Sequence, residues 1–175
     1  MTHFSARREP HTPGEIAPGR HALGLARAWI HRRACRRLTP PPPLQVDRAT
    51  ADKICSFNRR FAERAGYFLQ TSFVDDLDAA VEQGGATLPL TFFDSVTGKP
   101  LFRAPQGRSV DQFLAESNTH GWPSFRDSEV VWDNVRILRD GEAVSVDGTH
   151  LGHNLPDRTG NRYCINLVSV AGRPV

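Results

Sequence analysis

The sequence predicts a mainly antiparallel β fold that is preceded by a small helical segment and a basic N-terminal tail. Three observations support this division. Residues 1–46 are rich in proline and arginine, residues 47–85 carry apolar side chains at helical spacing, and residues 86–175 contain short apolar runs separated by turn residues. No stretch approaches the roughly 18 consecutive apolar residues that a membrane-spanning helix needs.

Residues 1–46 are expected to be an appendage, mostly disordered. They hold eight arginines and two glutamates, a balance of +6, while the whole chain carries only +3, so the remainder carries −3. The proline run 40–43 predicts a stiff polyproline II spacer. Residues 20–38 have amphipathic helical spacing, and three interpretations stay open for them. They are a plain basic tail, an organelle transit peptide, or a contact for nucleic acid or acidic lipid.

Two helices are predicted in the segment after the tail. The first covers 50–65, with Asp47 or Thr50 as its cap. Its apolar stripe consists of Ile54, Phe57, Phe61 and Ala65. The second covers 74–83 and is ended by Gly84.

From residue 86 onward the pattern favours strands. Residues 86–104 predict two strands around a glycine-containing turn, and 109–117 predict a short helix. Residues 129–148 predict a hairpin with Asp140-Gly141 in its turn. Residues 160–170 predict a last strand.

The last strand gathers polar side chains on one face. Because side chains alternate along a strand, Arg162, Cys164 and Asn166 point one way. Their neighbours, Tyr163, Ile165 and Leu167, point to the core. A cation beside a thiol favours the thiolate, which is the nucleophilic form, so this row is a candidate thiol active site.

Two histidines stand just before that strand, in "HLGH". His150, His153 and Cys164 are residue types that bind zinc, with Asp147 as an assumed fourth ligand. The alternative is a pair of histidines held by backbone partners beside an inert thiol.

The only other cysteines are Cys35 and Cys55, and three cysteines without C-x-x-C spacing favour a reducing compartment over a disulfide framework.

Four short blocks occur in a recognisable order. They are "GKPLF" at 98–102, "HGWPSF" at 120–125, "HLGH" at 150–153 and "RYCIN" at 162–166. In this order they resemble the type B peptide methionine sulfoxide reductase family over about residues 86–171. The resemblance implies two packed antiparallel sheets and an oxidoreductase that converts methionine-R-sulfoxide, free or in proteins, to methionine.

The resemblance also implies roles for the reacting groups. Cys164 matches the nucleophile that attacks the sulfoxide sulfur and becomes a sulfenic acid. His150 and His153 match the pair that binds and protonates the sulfoxide oxygen, chemistry that suits a side chain titrating near neutral pH. No bound cofactor is expected, and an external thiol such as a thioredoxin-like protein is the expected reductant.

Three further matches surround these groups. Asn166 matches an amide beside the histidines, and Trp122 matches the indole wall that receives the substrate methyl group. Arg162 matches the arginine that supports the nucleophile.

A reducing compartment implies a cytoplasmic protein, or an organelle protein if the tail is a transit peptide. We expect a monomer without a stable nucleic-acid partner.

The sequence departs from the family at the zinc cysteines and at the resolving cysteine, and in a smaller way at Leu167 and in a shortened loop after His153. Many members hold a structural zinc with two C-x-x-C pairs, and the aligned positions here are non-cysteine: Asp94, Thr97, Val144 and Asp147. We therefore expect a zinc-free member whose hairpins hold by packing alone. The usual resolving cysteine is His120 here, which makes Cys55 the candidate substitute, or Cys35 in the tail. If neither serves, an external thiol must reduce the sulfenic acid directly.

Besides a zinc-dependent enzyme using His150, His153 and Cys164, two rival functions remain open at the level of sequence. A relative lacking the resolving cysteine could bind oxidised methionine without turning it over. Alternatively, residues 1–46 could make the protein a binder of nucleic acid or of a membrane surface.

Overall fold

The computed structural model describes residues 44–56, 61–85 and 88–175. Within these residues the fold is mainly β, with two antiparallel sheets of two and five strands and three α-helices. This confirms the predicted fold class. The predictions for the tail up to residue 43, including Cys35, lie outside the described residues.

The three helices flank the sheets. Helix α1 spans Arg48–Ser56, α2 spans Phe73–Glu82 and α3 spans Val110–His120. The Asp47 carboxylate accepts the Thr50 backbone N–H at 2.7 Å, which is the predicted N-cap. None of these described helices is long and apolar enough to cross a membrane.

The predicted helix over 50–65 is wrong in its second half. Helix α1 ends at Ser56, and residues 61–64 are irregular before a short 3₁₀ helix at Tyr67–Gln70. The reason is tertiary: the Glu63 carboxylate accepts backbone N–H groups from a segment more than 100 positions further along the chain. Contacts of this kind outweigh weak helical propensity.

The other two predicted helices are confirmed, and one is longer than predicted. Helix α3 begins after a capping box between Ser109 and Gln112. It continues three residues beyond the predicted end and stops at Gly121, whose φ of 86° only glycine adopts readily.

Seven strands form the two sheets within the described residues. They are β1 Leu90–Phe93, β2 Pro100–Ala104, β3 Ser124–Phe125, β4 Val135–Ile137, β5 Glu142–Ser145, β6 His150–Asn154 and β7 Tyr163–Ile165. Strands β1 and β2 pair with each other, and the large sheet has the order β3-β7-β6-β5-β4. Both predicted hairpins are therefore confirmed. The last strand is shorter than predicted, because a 3₁₀ helix follows at Leu167–Ser169.

An aromatic core joins the small sheet, the large sheet and the helices. Phe125 of β3 stacks on Phe102 of β2 with ring centroids 4.3 Å apart, and it meets Phe92 of β1 edge-on at 5.2 Å. Phe113 of α3 and Phe73 of α2 pack together at 5.9 Å on the same cluster. The helical segment and the β segment thus share one core, which fixes the position of β6 and β7.

Polar bonds connect the β1–β2 turn to the β5–β6 turn. Fully buried Asp94 accepts the Thr149 hydroxyl at 2.9 Å and the Val96 backbone N–H at 2.8 Å. Lys99 donates to the Asp147 carboxylate at 3.1 Å. The expectation that these hairpins hold by packing alone is therefore wrong. Two of the four positions that align with zinc cysteines, Asp94 and Asp147, carry these polar links instead.

Candidate active site

A pocket of about 280 Å³ opens beside strands β6 and β7. It is lined by Ala62, His120, Trp122, His150, Gly152, His153, Leu155, Arg162, Cys164 and Asn166. The structure thus brings together six residues singled out from the sequence: the thiol, both histidines, the indole, the guanidinium and the amide.

Cys164 lies at the centre of β7, between its two neighbouring strands. It pairs in register with Ser124 of β3 and with His153 of β6. Its Sγ lies 2.5 Å from Nη1 of Arg162, which is itself largely buried. The guanidinium donates to the sulfur, so this contact orients the Cys164 side chain beside a cation within the pocket.

The two histidines stand on β6 with ring centroids 5.6 Å apart. His150 is only 3% exposed, and its Nδ1 lies 3.1 Å from Oε1 of buried Glu142 on β5. A carboxylate that accepts the Nδ1 proton fixes the orientation of the ring and leaves Nε2 as its other functional edge. The sequence reasoning did not single out Glu142. The available signal was an acidic residue at the start of an otherwise apolar strand.

The indole and amide walls are both held by the segment before the Tyr67–Gln70 helix. Trp122 Nε1 donates to the Glu63 carbonyl at 3.1 Å, and the Glu63 N–H donates to Asn166 Oδ1 at 3.0 Å. The Asn166 amide nitrogen donates to the Leu151 carbonyl at 3.0 Å. Sequence reasoning missed Glu63, because the apolar pattern around it predicted a helix.

Gly152, between the two histidines, allows β6 to approach β7 closely. A Cβ on Gly152 would lie 2.1 Å from the Cys164 carbonyl oxygen and 3.0 Å from the Ile165 Cα. Only glycine fits this contact, so the "HLGH" block needs its glycine in order to place the histidines beside the thiol.

Sequence comparison finds curated proteins that are similar to part of this chain. A protein of Methanosarcina mazei named peptide methionine sulfoxide reductase MsrB is 44% identical over 66 aligned positions, covering 31% of this chain and 46% of the relative. A protein of the same name from Leifsonia xyli subsp. xyli is 38% identical over 65 positions, covering 31% and 47%. Part of this chain is thus similar in sequence to two proteins that carry the MsrB name. The chain spans about half the length of these relatives, and no family model matches it.

The pocket includes His120, at the end of α3, which is the position where the family resemblance led us to look for a resolving cysteine. Cys55, the candidate substitute, is not among the pocket-lining residues. It is 1% exposed on α1, and its Sγ lies 3.8 Å from Ser169 Oγ and 3.9 Å from the Val168 carbonyl. Burial raises the pKa of the Cys55 thiol to about 12, which keeps it protonated and unreactive in this conformation.

The alternative zinc arrangement receives no support from the donor geometry. In residues 44–56, 61–85 and 88–175, no three His, Cys, Asp or Glu side chains are grouped so that they could hold a metal ion. Asp147, the fourth ligand that such a site would require, is instead paired with Lys99.

Proposed function

We propose that this protein reduces methionine-R-sulfoxide, free or in proteins, to methionine, with Cys164 as the nucleophile. The observation that carries this proposal is the contact between the Cys164 sulfur and the Arg162 guanidinium. It lies in a pocket that also presents His150, His153 and an indole. The named activity of the two relatives supports the same chemistry.

In this mechanism the methyl group of the substrate packs against Trp122, and its oxygen faces the histidine pair and Asn166. The Cys164 thiolate attacks the sulfoxide sulfur while a histidine donates a proton to the oxygen, which is otherwise a poor leaving group. The S–S bond formed by this attack breaks as the protonated oxygen moves from the substrate sulfur to Cys164, which becomes a sulfenic acid. The substrate sulfur gains the two electrons that Cys164 loses, and methionine leaves.

The sulfenic acid must then be reduced by thiols. One thiol attacks the Cys164 sulfur, releases water and forms a mixed disulfide, which a second thiol resolves. With Cys55 buried and His120 at the pocket, we propose an external thiol such as a thioredoxin-like dithiol as the donor. Cys55 could act as resolving thiol only if α1 moved away from the Leu167–Ser169 turn. A monomer in a reducing compartment, the cytoplasm or an organelle, suits this chemistry.

The test uses the two separated sulfoxide epimers of an oxidised methionine peptide, with dithiothreitol as reductant. Wild-type protein should consume only the R epimer, and Cys164→Ser should consume neither. Cys55→Ser is the matched control and should retain turnover, since dithiothreitol reaches the sulfenic acid directly.

Folded wild-type protein that consumes neither epimer would contradict the reductase proposal. In that case saturable binding of the R epimer would favour the second candidate, a relative that binds oxidised methionine without turnover. The observation that favours this second candidate is His120, which stands at the pocket where the resemblance would place a resolving cysteine.

A further inference from the structure

Glu63 contacts both walls of the pocket through its own backbone. Its carbonyl accepts the Trp122 indole N–H at 3.1 Å, and its N–H donates to Asn166 Oδ1 at 3.0 Å. The preceding residue, Ala62, lines the pocket itself. One short segment therefore connects the indole wall to the amide wall.

The Glu63 side chain anchors this segment to the 3₁₀ helix that follows the strand carrying Cys164. Oε1 accepts the Leu167 N–H at 2.8 Å, and Oε2 accepts the Val168 N–H at 3.1 Å. These N–H groups open the 3₁₀ helix directly after Asn166, where backbone donors have no intrahelical partner. The carboxylate is 3% exposed, so both bonds lie away from water, where losing an acceptor is costly.

The distance between the two walls matters for stereochemistry. A sulfoxide sulfur carries a methyl group, the rest of the side chain and an oxygen, and its two epimers differ in how these are arranged around the attacking thiol. If Trp122 holds the methyl group while Asn166 and the histidines hold the oxygen, only one epimer presents its sulfur to Cys164. Discrimination then requires that both walls be fixed, since small displacements at a reacting centre cost large factors in rate.

We propose that Glu63 is a positioning residue that fixes Trp122 and Asn166 relative to each other and thereby sets the selectivity for one sulfoxide epimer. This inference rests on the proposed reductase function. Glu63 does not touch the reacting atoms, and it acts only through the two pocket residues that it holds.

Two substitutions separate the contribution of the side chain from that of the backbone. Glu63→Gln keeps the shape but turns an amide NH₂ towards one of the two backbone N–H groups, so that one anchor bond is lost. Glu63→Ala removes both anchor bonds and leaves a small cavity. In both variants the backbone contacts to Trp122 and Asn166 remain chemically available, but the segment that makes them is less firmly held.

The experiment measures kcat and KM for each epimer with the full chain. Values are expressed per active Cys164, titrated as the methionine released in a single turnover without reductant. We expect Glu63→Gln to lower kcat/KM for the preferred epimer about tenfold. The ratio of the kcat/KM values for the two epimers should also move closer to one. Both effects should be larger in Glu63→Ala. Trp122 fluorescence, isolated by Trp29→Phe and Trp132→Phe, should shift to longer wavelength, because the loosened segment lets water reach the indole.

Asp94→Asn is the matched control. Asp94 is also a fully buried carboxylate that accepts a backbone N–H, but it lies outside the pocket lining. This variant should lose stability while its kinetic constants per active site and its epimer ratio stay unchanged. If Glu63 served stability alone, Glu63→Gln would likewise lose stability while its kinetic constants and epimer ratio stayed unchanged.

Each outcome decides between the two proposals. Unchanged constants and an unchanged epimer ratio in Glu63→Gln, with an active wild type, would overturn the positioning role and leave the reductase proposal intact. A wild type that is inactive on both epimers would overturn the reductase proposal itself. If Glu63→Ala does not fold, the milder Glu63→Gln variant decides the question.

Discussion

At the scale of single residues, Gly152 shows how the backbone places the chemistry. His153 and Cys164 face each other across β6 and β7, and the two strands approach so closely at Gly152 that any Cβ would meet the Cys164 carbonyl at 2.1 Å. Both histidines belong to the strand that this glycine allows to dock.

We predict that Gly152→Ala destabilises the protein by about 3 kcal/mol or more, because overpacking against backbone cannot be relieved by a rotamer change. It should also lower turnover by displacing β6 from the nucleophile. Gly107→Ala is the control: its φ is 73°, but a Cβ there meets nothing within 4 Å, so roughly 1–2 kcal/mol of backbone strain is expected. Urea unfolding measures both, and equal losses would show that close approach is not the cause.

Glu63 gives a second prediction at this scale, in the pH dependence of stability. Burial raises the pKa of this carboxyl to about 7, against an ordinary value of 4.5, although its bonds to two backbone N–H groups oppose the shift. The folded protein therefore holds this proton more tightly than the unfolded chain does. The resulting stabilisation is fully present below about pH 4.5 and is lost as the pH rises through about 7.

The measurement is the free energy of unfolding of wild type and Glu63→Gln at several pH values between 4 and 8. The wild type should lose stability relative to the glutamine variant across this window, by a total on the order of 3 kcal/mol. A constant difference between the two proteins would mean that Glu63 titrates alike in the folded and unfolded states.

At the scale of secondary-structure elements, polar bonds join two turns. They involve Asp94 and Asp147, two of the four positions that align with zinc-binding cysteines of the family. Thr149 precedes β6 and donates to Asp94 after β1, while Lys99 before β2 meets Asp147 in the β5–β6 turn. The first contact is buried and the second half-exposed, so the first should dominate the stability of the junction.

We predict that Thr149→Val lowers stability by about 1–3 kcal/mol, because it leaves a buried carboxylate without one of its donors. Thr119→Val on α3 removes an exposed hydroxyl that bonds within its own helix, and it should change stability by less than about 0.5 kcal/mol. Thermal unfolding measures both. Equal effects would show that the link does not hold the hairpins together.

At the scale of the whole molecule, every pocket-lining residue falls between positions 62 and 166. The helical segment contributes Ala62 to the lining and Glu63 behind it, and α1 and α2 share the core of the sheets. The catalytic proposal therefore needs residues 44 onward as one folded unit.

We predict that removal of residues 1–43 leaves kcat/KM for the R epimer within about twofold of the full chain, since this region supplies no described pocket residue. The same deletion tests the rival role of the basic tail: any salt-sensitive binding to nucleic acid or acidic vesicles should disappear with it. Loss of turnover in a folded deletion variant would show instead that the tail contributes to the pocket.

The sequence by itself determined the features that depend on near neighbours. Strand alternation placed Arg162, Cys164 and Asn166 on one face, turn residues marked both hairpins, and the ordered blocks brought Trp122 and the histidines into the same site. The polar row and the hairpins follow from periodicity and local turn chemistry, which a sequence displays directly, whereas the grouping of Trp122 with the histidines was implied by the family resemblance.

Only the tertiary structure decided where α1 ends, which carboxylates stand behind the pocket, and what joins the hairpins. Glu63 meets Asn166 across 103 positions of sequence, and Asp94 meets Thr149 across 55. A buried carboxylate takes its role from the donors that surround it after folding, and no local pattern specifies them. For this reason the sequence predicted residues that line the candidate site, but not the buried residues that hold them in place.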